Sequence, residues 1–543
     1  MGMGWRRSTG DDVAGAAKLR GMCRAGREGI NAVASFGWLA EKNPMPGLRV
    51  FTLLSVFAGV LGPPLVAGDR PQWGERHTRN MVSPERGLPE TFDPKTGANV
   101  RWTARLGSDT HSTPVVADGR IYLGTNNRVP RDPRHDGDRG VMLCLDERTG
   151  ALLWQLVVPK ITTSKFWDWP FMGICSPATV DDGLVYLVTN RGEVACLDPR
   201  GMANGNQGPF VDEARHQTAA GQETVPVAPT DADILWLFDM VGSLKVRQHD
   251  SAHASILAHG AFLYVNTSNG VGDTHREIES PEAPSLIVLE RATGRLVAVD
   301  DERIGPRIFH CTWSSPSLLR ENGRETVVFG GGDGVVYGFE PLADAPPPGE
   351  VRKLRKLWQY DGDPKGPKSQ VHRFTTNRRE SPSNIKGLPV IHGGRVHVAL
   401  GGDLWWGKNE AWLKAFEPPA PGGAPREVWS YPLVQHVMSS PVIHEGLVFI
   451  ADTGRRLHCL DAATGAGIWT HDVKSESWAT PLVADGKVYF ATRRGEFLTF
   501  AASREKRLLA EVSLGAGVSA TPVAANGTLY VATMTHLYAI SAR

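Results

Sequence analysis

Histidine, cysteine and tryptophan residues, with one lysine, recur at one position of a repeated pattern, close before a small residue and a proline. Imidazole and thiolate are common ligands of transition metals, and histidine also exchanges protons near neutral pH. If the pattern is a structural repeat, these side chains occupy equivalent places around one opening and converge. The candidate residues are His111, Cys175, His249, His253, His310, Cys311, Trp313, Lys386, His436 and Trp478.

A second interpretation stays open, because each histidine can instead hydrogen-bond the backbone of its own loop. Only His249 and His253 have close spacing, and their i,i+4 separation suits a helix where we expect a loop. A run of aspartates at 132, 136 and 138 has the spacing of a calcium loop but lacks the glutamate at its twelfth position. We therefore assign no metal and no catalytic residue from the sequence.

Aromatic and basic side chains fill other long loops. The segment 166–169 (FWDW) and the pair Trp405-Trp406 suit a flat organic ligand or a sugar, although loop aromatics also anchor loops. A third loop carries several cations that suit a carboxylate or a phosphate, or simply face solvent. These cations are Arg373, Arg378, Arg379 and Lys386.

The elements that position these residues are copies of one unit. STPVVADGRIYLGT from Ser112 and ATPLVADGKVYFATRRGEFLTF from Ala479 share a small residue and proline, an apolar run, an Asp-Gly turn and an alternating strand. Asp-Gly favours a tight hairpin turn, and the flanking residues are typical of strands. Prolines at 441, 481 and 522 give periods of 40 and 41 residues. This period predicts propeller blades, each a four-stranded antiparallel meander.

Eight units can be counted along the chain. They begin near Pro114, Pro177, Ser255, Pro316, Pro389, Pro441, Pro481 and Pro522. The eighth unit lacks a fourth strand, whereas a strand at about 99–106, with Trp102, has no unit of its own. Pairing the two would close the ring and remove an exposed edge. The sequence therefore predicts an all-β, eight-bladed propeller closed by an N-terminal strand.

The unit ends in Leu-Asp-x-x-Thr-Gly-x-x-x-Trp, as in LCLDERTGALLW and HCLDAATGAGIW. This ending resembles the repeat of the quinoprotein-like (PQQ-like repeat) propellers, a WD40/YVTN-like architecture, over about residues 70–543. The resemblance implies that each tryptophan docks one blade on the next, with Ala298 and Ala510 in two of the slots. The implied docking residues are Trp102, Trp154, Trp236, Trp358, Trp429 and Trp469.

The resemblance also implies two cofactors, pyrroloquinoline quinone (PQQ) and calcium, in the dehydrogenases of this superfamily. Those enzymes have a disulfide between adjacent cysteines, whereas the closest cysteines here, Cys175 and Cys196, are 21 positions apart. Their calcium ligands cannot be placed on matching residues, and the haem motif CxxCH is absent from the sequence. The chain therefore resembles the non-dehydrogenase branch. PQQ and calcium stay possible cofactors, but the residues that hold them in the dehydrogenases are not found, so we assign neither.

The N-terminal region predicts export. Residues 1–44 have no strand pattern, and we interpret them as a non-native or disordered extension. Residues 45–68 contain a basic start, an apolar stretch and small residues near Ala67, which is typical of a secretory signal peptide. The mature propeller would then span 69–543 in the periplasm or another extracytoplasmic space. An uncleaved membrane anchor is the alternative.

We interpret the chain as a binding or scaffold module of the cell envelope, monomeric, with an envelope protein or a carbohydrate as partner. A net charge of +1 gives no electrostatic basis for nucleic-acid binding. The alternative is a PQQ-dependent oxidoreductase with a divergent site on the loop-rich face. A hydrolase or lyase that uses the histidine-rich mouth is a third hypothesis, although no GxSxG motif supports it.

Overall fold

The computed structural model describes residues 68–161, 164–420 and 423–542 of the 543-residue chain. The predicted extension 1–44 and nearly all of the predicted signal segment 45–68 lie outside the described residues. Within the described ranges, no helix is both long and apolar enough to span a membrane. Strands dominate, because the repeated alternation of apolar residues and Gly-containing turns favours hairpins.

The strands follow the predicted units closely. Two strands precede the first blade, β1 (Val82–Ser83) and β2 (Val100–Arg105). Blades 1 and 2 comprise β3 (Val115–Ala117), β4 (Arg120–Asn126), β5 (Arg139–Asp146), β6 (Leu152–Pro159), β7 (Thr179–Asp181), β8 (Leu184–Val188), β9 (Glu193–Asp198) and β10 (Asp233–Asp239). Blade 3 and its neighbour comprise β11 (Leu257–His259), β12 (Phe262–Asn266), β13 (Leu286–Glu290), β14 (Leu296–Val299), β15 (Ser317–Glu321), β16 (Arg324–Gly330), β17 (Val335–Phe339), β18 (Arg352–Lys353) and β19 (Lys356–Asp361).

The second half of the chain continues in the same way. Blades 5 and 6 comprise β20 (Ser383–Asn384), β21 (Val390–His392), β22 (Arg395–Gly402), β23 (Ala411–Glu417), β24 (Arg426–Leu433), β25 (Val442–His444), β26 (Leu447–Asp452), β27 (Arg456–Asp461) and β28 (Gly467–Asp472). Blades 7 and 8 comprise β29 (Leu482–Ala484), β30 (Lys487–Ala491), β31 (Glu496–Ala501), β32 (Leu508–Ser513), β33 (Val523–Ala525), β34 (Thr528–Ala532) and β35 (His536–Ile540). The described helices are short: α1 (Glu213–His216), α2 (Met240–Leu244) and the 3₁₀ turns Gly201–Asn204, Gly305–Arg307 and Val371–Phe374.

Eight separate sheets form the eight blades, which confirms the predicted fold class and blade count. Each blade is an antiparallel meander of four strands, and three blades carry an added strand. β1 pairs in parallel with β29, β18 pairs in parallel with β14, and β20 pairs with the end of β22. Apolar side chains between neighbouring sheets form the core, since a single blade cannot bury both of its faces alone.

The N-terminal strand closes the ring, as the sequence predicts. β2 pairs antiparallel with β35 and supplies the fourth strand of blade 8, with Trp102 opposite Ala539. Without β2, β35 would expose a row of unpaired backbone groups. The pairing therefore joins residues from both ends of the propeller into one sheet.

Tryptophans of the outer strands contact the following blade. The indole Nε1 groups of Trp102, Trp154, Trp236, Trp429 and Trp469 donate to the carbonyls of Glu147, Pro199, Arg291, Ala462 and Ser503, at 3.1, 2.8, 3.2, 3.1 and 3.1 Å. Trp358 instead packs edge-on against Phe416 of blade 5. The ring of Trp102 occupies the space that a Cβ at Gly150 would need, and Gly150 also has φ 72°. Glycine in the Thr-Gly turn therefore permits both the turn and the docked ring.

The segment 70–83 hydrogen-bonds all eight blades at or next to their first strands. Its backbone pairs with Val116, Val180, Leu318, Ile391 and Val483 of blades 1, 2, 4, 5 and 7. The side chains of Arg79, Asn80 and Ser83 reach Ile256, Ile443 and Ala524 of blades 3, 6 and 8. Because the first strands are innermost in a propeller, this segment crosses the centre of the ring. We call it the central segment.

Arg79 is the buried anchor of the central segment, with no exposed surface. Its guanidinium donates to the carbonyls of Trp73, Ser255, Ile256 and Pro316, at 2.9 to 3.4 Å, and to the Ser255 hydroxyl at 3.2 Å. Burial lowers the pKa of Arg79 to about 9. Arginine suits this place because its fixed fork of N–H donors satisfies several carbonyls at once.

We expect Arg79→Ala to lower the free energy of unfolding by about 3 kcal/mol or more, because it leaves buried acceptors without donors. Thermal and urea unfolding of the purified chain measure this loss. Arg148→Ala, at an exposed site, is the matched control and should change stability by less than about 0.5 kcal/mol. Equal effects of the two substitutions would contradict the role of Arg79.

Candidate functional site

A cavity of about 400 Å³ opens among the long loops of one face. Its wall comes from the connection between β6 and β7, from the β22–β23 connection and from residues that precede the first strands of several blades. Aromatic rings dominate the wall: Phe166, Trp169, Phe171, Trp313, Trp405, Trp406 and Trp478. The aromatic pairs that the sequence places on one face thus share one cavity.

The candidate residues from the sequence fall into two layers. Those that line the cavity are His111, His253, His310, Trp313 and Trp478. Those that are buried and absent from its wall are Cys175, His249, Cys311, Lys386 and His436. The basic loop residues Arg373, Arg378 and Arg379 do not line this cavity.

Two of the predicted histidines meet directly. His249 and His310 lie with their Nε2 atoms 2.9 Å apart, although 61 residues separate them in the chain. His275 joins them, and the ligand atoms of the three side chains all lie within 4.8 Å of one another. Burial is the largest cause that lowers the pKa of all three imidazoles, and it places the pKa of His275 at about 4. We call these three residues the histidine cluster.

A buried carboxylate, Asp403, supports the histidine cluster from behind. Its Oδ2 accepts hydrogen bonds from His310 Nδ1 at 2.9 Å, from Lys386 Nζ at 2.8 Å and from Asn384 at 3.3 Å. Its Oδ1 accepts from the backbone N–H groups of Trp405 and Trp406, at 2.9 and 3.0 Å. Burial opposes ionisation, but the neighbouring His310 and Lys386 hold the pKa of Asp403 well below its usual range.

Lys386 extends from Asp403 between two indole rings. Its Nζ lies 4.3 Å from the ring centre of Trp405 and 4.9 Å from that of Trp313, which are cation–π distances. Burial alone would lower the pKa of Lys386, but the charge of Asp403 raises it, so the ammonium is retained. The ion pair thus fixes both the cation and the tryptophan loop at the cavity wall.

The remaining candidates surround this ion pair or the cavity. The rings of His111 and His253 meet edge-on with their centres 6.4 Å apart, and Arg493 lies over the indole of Trp478 at 4.1 Å. Burial lowers the pKa of His253 and of His436 to about 3. Both imidazoles are therefore neutral under ordinary conditions. Burial also raises the thiol pKa of Cys175 well above its usual range.

Several site residues are absent from the sequence-based candidates. His275 lies in a long insertion between β12 and β13, Asp403 follows β22, and Asp250 follows His249 directly. Burial raises the pKa of Asp250 to about 7. The sequence indicates only that His275 and Asp403 lie in β12–β13 and β22–β23 connections, on the same face as the cavity. Nothing in the neighbouring sequence distinguishes them from other loop residues.

The calcium and PQQ set of the dehydrogenases does not fit these residues. Calcium prefers six to eight oxygen ligands, whereas the groups that converge here are imidazole nitrogens, which suit transition metals. The five cysteines in the described part of the chain are all unpaired, and no two are adjacent. We therefore derive no step through PQQ or calcium.

We expect Asp403→Asn to lower the free energy of unfolding by about 3–5 kcal/mol, because it leaves the buried Lys386 without a counter-ion. Lys386→Met should cost less, about 1–3 kcal/mol, since Asp403 keeps four of its five donors. Urea unfolding of the two variants measures the difference. An equal or reversed order would contradict the central role of the carboxylate.

Solved structures show the same architecture at low identity. The chain matches a quinohemoprotein alcohol dehydrogenase from Comamonas testosteroni at 16% identity and a TM-score of 0.50, covering 87% of this chain and 80% of that one. The quinohemoprotein alcohol dehydrogenase ADHIIG from Pseudomonas putida HK5 matches at 12% identity and a TM-score of 0.53, covering 87% of this chain and 80% of that one. BamB from Moraxella catarrhalis matches at 11% identity and a TM-score of 0.49, covering 81% of this chain and 97% of that one. At these identities the likeness to the two dehydrogenases shows the fold alone.

Family membership is a separate finding. A search of curated protein sequences gives no match. One protein-family model, described as outer membrane protein assembly factor BamB, matches residues 82–203, 138–312 and 409–543, which together exceed half of the chain. The predicted resemblance to the PQQ-like repeat propellers is thereby confirmed, and the chain belongs to the family of outer membrane protein assembly factor BamB.

Proposed function

We propose that this propeller is an exported binding module of the cell envelope, and that it holds a compact ring-shaped ligand in the aromatic cavity. The observation that carries the proposal is the cavity itself, with seven aromatic side chains around about 400 Å³. Ligand pockets are typically concave and apolar, with a few polar groups that fix orientation. A carbohydrate ring or a flat organic molecule fits this description.

The polar groups of the cavity support a ligand with hydrogen-bonding edges. Asp109, Asp250 and Arg493 lie on the wall together with several imidazoles, so both donors and acceptors face the space. The long loops that carry them lie on a rigid ring, an arrangement that commonly bears binding sites. The central segment crosses the ring beyond the cavity, so we expect ligands to enter from the loop-rich face.

Envelope location rests on the family and on the N-terminal pattern. The family model carries the description outer membrane protein assembly factor, which supports the proposal that this chain also binds another protein of the envelope. Gly68 and Asp69, the first described residues, already hydrogen-bond the ring: Gly68 donates to Glu85, and Asp69 accepts from Asp118 and Asn526. Cleavage between Gly68 and Asp69 would leave Asp69 and its hydrogen bonds to Asp118 and Asn526 in the mature propeller.

We expect saturable quenching of tryptophan fluorescence when the purified chain is titrated with PQQ or with soluble oligosaccharides. Trp405→Ala should weaken binding about tenfold, because one stacking ring is lost while the backbone N–H to Asp403 remains. Trp412→Ala, at a half-buried strand position outside the cavity, should leave the affinity unchanged. No response to either class of ligand would contradict the proposal.

Calcium separates this proposal from the oxidoreductase alternative. Quenching by PQQ that requires calcium, accompanied by reduction of an added dye when an alcohol is supplied as the electron donor, would replace the binding module with a quinoprotein enzyme. Quenching that is insensitive to calcium, with no dye reduction, agrees with a binding site.

We also expect the protein recovered from the periplasm or the medium of a bacterial expression host to begin at Asp69. N-terminal sequencing and intact mass measure this end. A recovered chain that retains residues 45–68 would support the membrane-anchored alternative, and one found only in the cytoplasm would contradict export.

A further inference from the structure

We propose that His249, His275 and His310 bind one divalent first-row transition-metal ion at the edge of the aromatic cavity. The site is independent of the organic ligand proposed above, since it rests only on the positions of three imidazoles and their partners. It also differs in chemistry from the calcium set of the dehydrogenases.

Hydrogen bonds on the far side of two rings define which nitrogens are free. His249 Nδ1 lies 2.9 Å from the carbonyl of Val271, and His310 Nδ1 lies 2.9 Å from the carboxylate of Asp403. A carbonyl and a carboxylate can only accept, so both Nδ1 atoms carry the hydrogen. In the neutral tautomers, both Nε2 atoms then present a lone pair.

Those two Nε2 lone pairs face each other at 2.9 Å, which requires a cation between them or beside them. Two nitrogen ligands that each lie about 2.0–2.1 Å from one metal ion, with an N–metal–N angle of about 90°, are about 2.9 Å apart. The observed separation thus matches two neighbouring ligands of a single ion. A shared proton is the competing cation, but it would use only these two nitrogens and would leave the third converging imidazole, His275, without a role.

The third ligand is His275, whose ligand atom lies within 4.8 Å of those of the other two histidines. Its ring centre is 4.8 Å from that of His249 and 5.4 Å from that of His310. His249 and His310 each have an outer acceptor that orients the ring, as metal-bound histidines usually have.

The backbone around the cluster is strained in a way that favours a functional role. His275 has φ 56°, Asp250 has φ 59° and Ser251 has φ 109°, all in the region that non-glycine residues rarely adopt. Strained residues concentrate at sites where the surrounding structure imposes a geometry. Phe166 stacks parallel to His249 and meets His275 edge-on, which holds both rings in place.

Asp250 places a carboxyl group beside the histidine cluster. Its Oδ2 lies 3.6 Å from His249 Nε2, and its Oδ1, although buried, has no hydrogen-bond partner among the described residues. A carboxylate at this distance offsets the charge of a divalent ion and is close enough to become a fourth ligand after a small side-chain rotation. Imidazole with one carboxylate selects zinc, copper, nickel or iron over calcium and magnesium.

A second cluster of possible ligands serves as an internal comparison. Asp132, His135 and Asp231 also converge, but Arg134 bonds both carboxylates. An arginine between the two acids already neutralises them and leaves no place for a cation. The histidine cluster has no such resident cation among its ligand atoms.

The test uses the full chain, stripped with a chelator and titrated with cobalt(II), followed by visible absorption and by metal analysis after gel filtration. We expect one cobalt per chain, not displaced by millimolar calcium. His275→Asn should weaken cobalt binding about 100-fold or more, since ligand loss exceeds the 10–100-fold effect of losing an outer partner. Asparagine tolerates the positive φ of this position, so the fold should be retained.

His135→Asn is the matched control and should bind cobalt with unchanged affinity. Loss of binding in His135→Asn, unchanged affinity in His275→Asn, or no binding by the native chain would each overturn the proposal. If His275→Asn does not fold, copper(II) bound to the native chain decides by electron paramagnetic resonance. Couplings to three imidazoles support the site, and couplings to fewer overturn it.

The same titrations separate this proposal from the organic ligand. A chain that binds cobalt but shows no quenching by PQQ or oligosaccharides would leave the metal site correct and the proposed function wrong. Trp405→Ala should retain cobalt binding, because the tryptophan ring is not a ligand.

Discussion

The free edges of the innermost strands set the main constraint on this ring. Each blade directs its first strand toward the axis, where backbone groups need partners that water in a narrow channel supplies poorly. The central segment meets this need for all eight blades, and Arg79 gathers four carbonyls and one hydroxyl at the middle. The geometry of every blade therefore depends on one short stretch that supplies none of the four-stranded meanders and only the added strand β1 of blade 7.

This rigid frame explains how distant residues reach one site. His249, His310 and Asp403 come from three different inter-strand connections, yet their side chains form a continuous chain of contacts. Asp403 then ties that chain to Lys386 and to the tryptophan loop. A buried carboxylate is costly unless it is well hydrogen-bonded, which accounts for the five donors around Asp403.

The fold was predictable because each unit repeats the same local signals. Asp-Gly turns, a 40-residue period and the Trp102 strand without a unit of its own were sufficient for the blade count and for closure. The site was predictable only in part. His249 and His310 precede recognisable strands, so their ring position followed from the repeat, whereas His275 and Asp403 lie in insertions whose path depends on contacts between blades. The role of Arg79 could not be predicted, because its partners are mainly backbone carbonyls, and every residue type has a backbone carbonyl.

The closure of the ring has a consequence for the order of events during synthesis. Trp73 donates to Thr521, which lies 448 positions later in the sequence, and β2 pairs with β35 over a comparable sequence separation. The ribosome therefore releases the closing strand long before β35 exists, whereas the partners of the central segment are made one blade at a time. Contacts between such remote residues slow folding and prolong the time in which strand edges are exposed. The last blade to be translated completes the ring, so the closing strand remains without its partner until then. A chaperone would find the chain still open during this interval.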